Sequence, residues 1–251
     1  MSNLSLLSAA QGFLVEALDN HSRAKHQFAL LHAVTATELL LKERLARVNA
    51  ALVFKDIDAK QIAGSQTVSL KQIPQRLANL GMSLAPHEVQ LVNTFSGWRN
   101  ELVHHLPAFD PKLAERLLPQ LLDFLAGTLR RDLGSPLEGF LPKSLFRVVT
   151  HVLEDWRTAI QNAAIAAQAE GQVLDEACPT CGARAVLCLR NDTDVYCHLC
   201  RTASEYGECD RCGRMVVSRF SAVMDDRICK RCIDDAGDDY INLLIDAGRG
   251  K

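Results

Sequence analysis

Four C-x-x-C pairs close this 251-residue chain, and no cysteine precedes the first of them. The pair Cys178 and Cys181 is separated from Cys197 and Cys200 by 15 residues; Cys209 and Cys212 are separated from Cys229 and Cys232 by 16. Each half matches the C-x2-C-x15–20-C-x2-C spacing of a zinc site. The constraint is geometric. A C-x-x-C turn points two thiolates at one ion, and a glycine after the second cysteine, as at Gly182 and Gly213, takes the torsions of a tight knuckle. Two knuckles across a small sheet give a tetrahedral, fully ligated site with no position left for substrate.

The tail therefore predicts two small β zinc ribbons, over residues 175–204 and 205–251, each holding one structural zinc ion. Residues 185–189 and 194–196 read as a hairpin turned at Asn191-Asp192. Pairing of the cysteines in sequence order is favoured over cross-bracing, which the spacing also permits. Cys188 lies between Leu187 and Leu189 and reads as a buried strand residue. His198 is set aside as a ligand because four thiolates already complete the set. Past Cys232, acidic residues lead into a short apolar helix around residues 240–245.

The start of the chain lacks the basic and apolar regions of a secretory leader, so the cysteines point to metal rather than disulfides. No stretch approaches the ~20 apolar residues of a membrane span. The expectation is a soluble, cytoplasmic protein with no membrane partner. Formal net charge is −2, and eight thiolates with two zinc ions would take it to about −6. Any surface for RNA must then be a local patch. Arg211, Arg214, Arg219, Arg227, Lys230 and Arg231 offer either such a patch or a solvated face.

The rest of the chain reads as mainly α, with 48% hydrophobic residues overall to build a core. Helical spacing runs through residues 4–52 as two helices, the second apolar on nearly every face and so suited to the middle of a bundle. Glu38 interrupts that second run. It is either an exposed carboxylate or one kept inside by a basic partner. A short helix follows over 68–80, entered at Pro74 and closed by Gly81. Pro86 opens the next helix, and Pro107 should end it at His104 or His105. Further helices are predicted over 112–131 and 143–170, the latter spanning roughly 40 Å. Residues 132–136 form the clearest break. The expected domains are a bundle over 1–134, a connecting segment over 135–174, and the two ribbons.

The stretch Arg99-Asn100-Glu101-Leu102-Val103-His104-His105 carries the chemistry. RNA is cut without metal when a base takes the 2′-hydroxyl proton, an acid protonates the 5′-oxygen, and a cation stabilises the phosphorane. Histidine serves as acid or base near neutral pH, and arginine clamps phosphate oxygens. Asn100 and His104 are four residues apart and share a helix face. Arg99 lies about 140° round the helix from His104 and must reach back with its long side chain. His105 is the secondary candidate.

Arg99-Asn100-x3-His104 resembles the R-x4–6-H signature of the HEPN superfamily of all-α ribonucleases, and the helix around residues 32–42 resembles its early helix. The resemblance covers about residues 4–132. It implies a HEPN-like helical bundle in which two protomers bring their motifs together, so a homodimer supplies His104 twice. Arg99 and His104 would be catalytic, Asn100 would position phosphate or imidazole, and Glu38 would orient a basic member of the site. The implied activity is a metal-independent endoribonuclease leaving a 2′,3′-cyclic phosphate, in a bacterial toxin or antiviral-defence setting. The ribbons would contact RNA or a regulatory or antitoxin protein. The alternative is a non-catalytic dimeric adaptor whose ribbons bind nucleic acid or a partner protein. A hydrolase using catalytic zinc is disfavoured, because no cluster leaves an open coordination position.

Overall fold

The computed structural model describes residues 5–58, 65–104, 111–176, 178, 183–209 and 212–218, without the side chains of 101, 102, 104, 111–113 and 218. The chain divides into two units, Met1–Thr158 and Ala159–Lys251.

In the first unit, helix α1 (Leu6–Ser22) starts on Ser5, whose side chain accepts the Ser8 N–H and so satisfies a donor the helix cannot. The chain reverses through Ala24, at φ +57°, into α2 (His26–Val48). Small residues line both helices, and Ala10 and Ala17 of α1 and Ala29, Ala33 and Ala36 of α2 are fully buried beside Leu14 and Leu18. Leu30, Leu40, Leu41 and Leu45 are buried too. The many-sided apolar pattern of α2 thus reflects a position at the centre of the unit, as its sequence predicts.

Two 3-10 turns, Ala50–Val53 and Leu70–Gln72, flank a loop tied by an isolated bridge between Phe54 and Thr67. Helix α3 (Ile73–Asn79) takes Pro74 in its first turn, where its missing N–H costs nothing, and stops before Gly81 at φ +72°. Arg76 Nη1 donates to the carbonyls of Leu52 at 2.8 Å and Phe54 at 2.5 Å, fastening α3 to the loop. Helix α4 (Pro86–His104) is capped by Glu88, whose Oε2 accepts the Ala85 N–H at 2.8 Å. Its last described residue is His104; Pro107, expected to stop it, lies outside the described residues. Helix α5 (Pro111–Asp132) continues past Pro119, which has no N–H to donate. Leu117, Leu118, Leu121, Leu125 and Leu129 bury its apolar stripe in the core. After Gly134, at φ +63°, come α6 (Leu137–Phe140) and α7 (Lys143–Glu170).

The division between the two units falls inside α7. Val149 and Leu153 of α7 belong to the large core of the first unit. Ala163 and Ile160 belong to a smaller cluster with Leu174, Val186, Leu187 and Val195 in the second. The strong break signal at Gly134-Ser135-Pro136 is a turn within the first unit. A periodic pattern marks a helix but does not tell which core each end serves.

The second unit carries one antiparallel sheet, its strands adjacent in chain order: β1 (Gln172–Leu174), β2 (Leu187–Leu189), β3 (Asp194–Cys197), β4 (Ala203–Glu208) and β5 (Met215–Ser218). Asn191 Oδ1 accepts the N–H groups of Thr193 and Asp194, which closes the expected β2–β3 hairpin. Spacing of the cysteines separates the tail into two ribbons at 204/205. The strands do not observe that line: β4 crosses it and pairs with both β3 and β5. The Val217 N–H of β5 donates to Glu176, just beyond β1, at 3.0 Å, so the sheet curls on itself. The fold is thus mostly helical, with one small sheet at its C-terminal end. No described helix is long and apolar enough to cross a membrane.

Candidate functional site

Glu38 is a buried carboxylate of the first unit, 9% exposed in the middle of α2. Of its two sequence readings, the structure takes the second. Lys42, one turn on, places Nζ 2.5 Å from Glu38 Oε1 and 2.9 Å from Thr67 Oγ1. Arg99 of α4 places Nη1 2.5 Å from Glu38 Oε2. One carboxylate therefore bridges two cations from two helices, leaving one net positive charge. Isolated burial of Glu38 or Lys42 would be costly, and their mutual contact is what makes it tolerable.

Among the described residues, Arg99 is held by Glu38. The bond to Glu38 takes one of the five N–H donors of its guanidinium, and the side chain stays 40% exposed. Where sequence geometry sends Arg99 round α4 toward His104, the structure records it against α2. Asn100 is exposed on the next position of α4, and so is Val103. His104 is the last residue of α4, and by register it shares the Asn100 face. The His104 side chain and all of His105 lie outside the described residues. His32, a turn and a half before Glu38, packs edge-on against Phe13 with ring centroids 5.9 Å apart, and Thr35 donates to the Leu31 carbonyl. The Lys42 and Thr67 contacts escaped the sequence reading. Lys42 was legible, since a Glu and a Lys four residues apart meet on a helix. Thr67 was not, because it arrives from a loop.

In the second unit, Cys178, Cys197 and Cys200 bring their sulfurs within 4.8 Å of one another, all three buried. The cluster joins the first C-x-x-C pair to the second, which is the sequence-order pairing. Cys178 Sγ lies 3.6 Å from Cys200 Sγ. Sulfurs bound to one tetrahedral zinc at ~2.3 Å stand about 3.8 Å apart, so the spacing and donor set fit such an ion. Cys181, the expected fourth ligand, lies outside the described residues, as do Cys229 and Cys232. Cys209 is buried and Cys212 exposed.

The three described cysteine turns share one backbone pattern. The N–H groups of Cys178, Cys197 and Cys209 donate to the carbonyls five residues on, at Ala183, Thr202 and Arg214. In the turns starting at Cys197 and Cys209, the residue four on donates back, and it is left-handed: Arg201 at φ +59° and Gly213 at φ +68°. Gly213 is the glycine the spacing predicts. Arg201 takes the same torsion without that freedom, at a steric cost that only a turn held by other bonds sustains.

Cys188 is buried on β2, opposite Tyr196 rather than in the cluster. Burial pushes its thiol above the ordinary value, and the nearby Glu170 carboxylate adds to this. His198 is likewise apart from the cluster. Its ring lies edge-on to Tyr196, and its Nε2 sits 2.8 Å from Glu170 Oε2, off the hydrogen-bonding direction. Arg190 covers the Tyr196 ring and pairs with Glu170 at 2.6 Å. Of the basic residues of the second ribbon, Arg214 is exposed; Arg211, Arg219, Arg227, Lys230 and Arg231 lie outside the described residues, as does the expected C-terminal helix. Comparisons with protein-family models, curated proteins and solved structures gave no match to this chain.

Proposed function

We propose that the chain is a metal-independent endoribonuclease of HEPN type, with Arg99 and His104 as catalytic residues. The observation that carries the reading is the Glu38–Arg99 pair. A guanidinium fixed at one donor by a buried carboxylate, half exposed, and backed by the second cation Lys42 suits recognition of a phosphate. Glu38 then acts as a positioning residue, and Asn100 lies beside Arg99 on the exposed side of α4. His104 serves as general acid or base at the helix end, where the macrodipole favours the protonated imidazole. One histidine per protomer leaves one of the two proton transfers unassigned, so the reading requires a homodimer with a composite site. The product is a 2′,3′-cyclic phosphate, in a toxin or antiviral-defence role.

Zinc, two ions per chain, is structural in this reading. Cys178, Cys181, Cys197 and Cys200 hold one ion, and Cys209, Cys212, Cys229 and Cys232 the other. Bound there, zinc neutralises thiolate charge and folds the ribbon; the cysteines shape the surface offered to RNA or a regulatory protein.

The test is RNA cleavage by the intact chain with EDTA present throughout. Wild type should cut, and Arg99→Ala and His104→Ala should each slow cutting by roughly 10²–10³-fold. Equal decay in all three sinks the enzyme reading and leaves the dimeric adaptor, for which the Glu38–Arg99 pair is only an interhelical ion pair.

A further inference from the structure

The residue five positions after the first cysteine of each turn differs in what its side chain can do. It is Ala183, Thr202 and Arg214 in the three described turns. All three give a backbone carbonyl to their cysteine N–H. Only Thr202 also has a hydroxyl within reach of a sulfur: Oγ1 lies 2.9 Å from Cys200 Sγ. We infer that Thr202 is a positioning residue of the first metal centre, its hydroxyl donating to the Cys200 thiolate and fixing that sulfur as a ligand.

The direction of the bond follows from the chemistry of the cluster. A thiolate bound to a metal has no proton and can only accept, so the hydroxyl must donate. A buried thiolate gains from such a donor. The Cys200 sulfur is buried, 3.6 Å from that of Cys178, and the residue is 3% exposed, which leaves little room for water to offset the charge. Its turn-mate Cys197 already receives the Cys200 N–H at 3.5 Å. With Thr202, both sulfurs of the turn have a donor, one from the backbone and one from a side chain. Thr202 thereby acts twice, closing the turn with its carbonyl and steadying the second ligand with its hydroxyl. Partners of this kind, one bond removed from the metal, commonly change metal affinity by 10–100-fold.

The inference rests on the metal-centre reading, and the experiment separates the two. Zinc content of the intact chain is measured first, and then zinc retention against a chromophoric chelator for wild type, Thr202→Val and Thr202→Ser. Valine keeps the shape of threonine without its hydroxyl; serine keeps the hydroxyl without the methyl. Thr202→Val should give up zinc from one of its two sites about tenfold more readily, and Thr202→Ser should hold it like wild type. Retention by Thr202→Val equal to wild type overturns the inference. So does weakness in Thr202→Ser matching that of Thr202→Val, since packing of the methyl would then be the cause. Loss of the sheet in Thr202→Val that excess zinc does not restore also overturns it. Wild type without zinc overturns the metal-centre reading itself.

Discussion

In the helical unit Leu14, Leu18, Leu30, Leu41 and Leu45 are wholly buried, within a core that takes in α1, α2, α4, α5 and the start of α7. The sheet unit has a few aliphatic side chains around Val186, Leu187 and Val195, and its other buried members include Cys178, Cys197 and Cys200. Each fully buried leucine contributes about 1.5–3 kcal/mol, so the first unit can stand on apolar burial alone. Among its described residues the second buries far fewer apolar side chains. Its thiolates, packed together, also repel unless a cation sits among them. The difference teaches where each unit places its charge: the first holds a buried ion cluster on top of a large apolar core, and the second gathers its buried sulfurs where a metal ion could sit.

Metal removal tests this contrast with the largest expected effect. Binding of a structural zinc is worth ~10–16 kcal/mol in small ribbons. Dialysis against a strong chelator should therefore release protection of the β2–β4 amides in hydrogen exchange while the α1, α2 and α5 amides stay protected. Loss of protection in both units together would show that the division inside α7 is not an energetic one.

A smaller effect is expected on the helical side. Glu38→Ala leaves Lys42, with its side chain 7% exposed, without its carboxylate, which costs about 3–5 kcal/mol. Glu38→Gln should cost less, because an amide still accepts from Lys42 and Arg99. Urea unfolding followed by circular dichroism measures both. Equal midpoints for wild type and Glu38→Ala would mean that the pair contributes little to the bundle, and that its contact with Arg99 has another purpose.

The smallest effect is that of pH on the first unit. His21 titrates below its ordinary value of 6.5, held down by burial and by the neighbouring His26, with Glu115 acting in the opposite sense. Its ring stands edge-on to His26, centroids 5.6 Å apart. The unfolded chain therefore binds a proton before the fold does. Stability should be full above pH 6.5, fall as the pH drops below that value, and level off once His21 is protonated in the fold as well. Thermal midpoints of wild type and His21→Gln between pH 7.5 and 5 check it. An unchanged slope in the variant would assign the dependence to other groups.

Much of this molecule is legible in the sequence because it follows local rules. The helix start at Pro86, the turn at Gly81, the hairpin at Asn191 and the left-handed Gly213 each rest on the chemistry of one or two residues. The cysteine spacing likewise leads to the Cys178, Cys197 and Cys200 cluster. Tertiary structure decided what no local rule reaches. The sequence left Glu38 open between solvent and interior, and it was settled by Arg99, 61 positions away, together with Lys42. The described strands on either side of residue 204 share one sheet because β4 has two edges and pairs on each. Helix α7 serves two cores, because Val149 and Leu153 near its start and Ile160 and Ala163 near its end pack in different clusters. Local chemistry sets where an element begins and stops; which partner satisfies its charge, edge or apolar face depends on what the rest of the chain brings alongside.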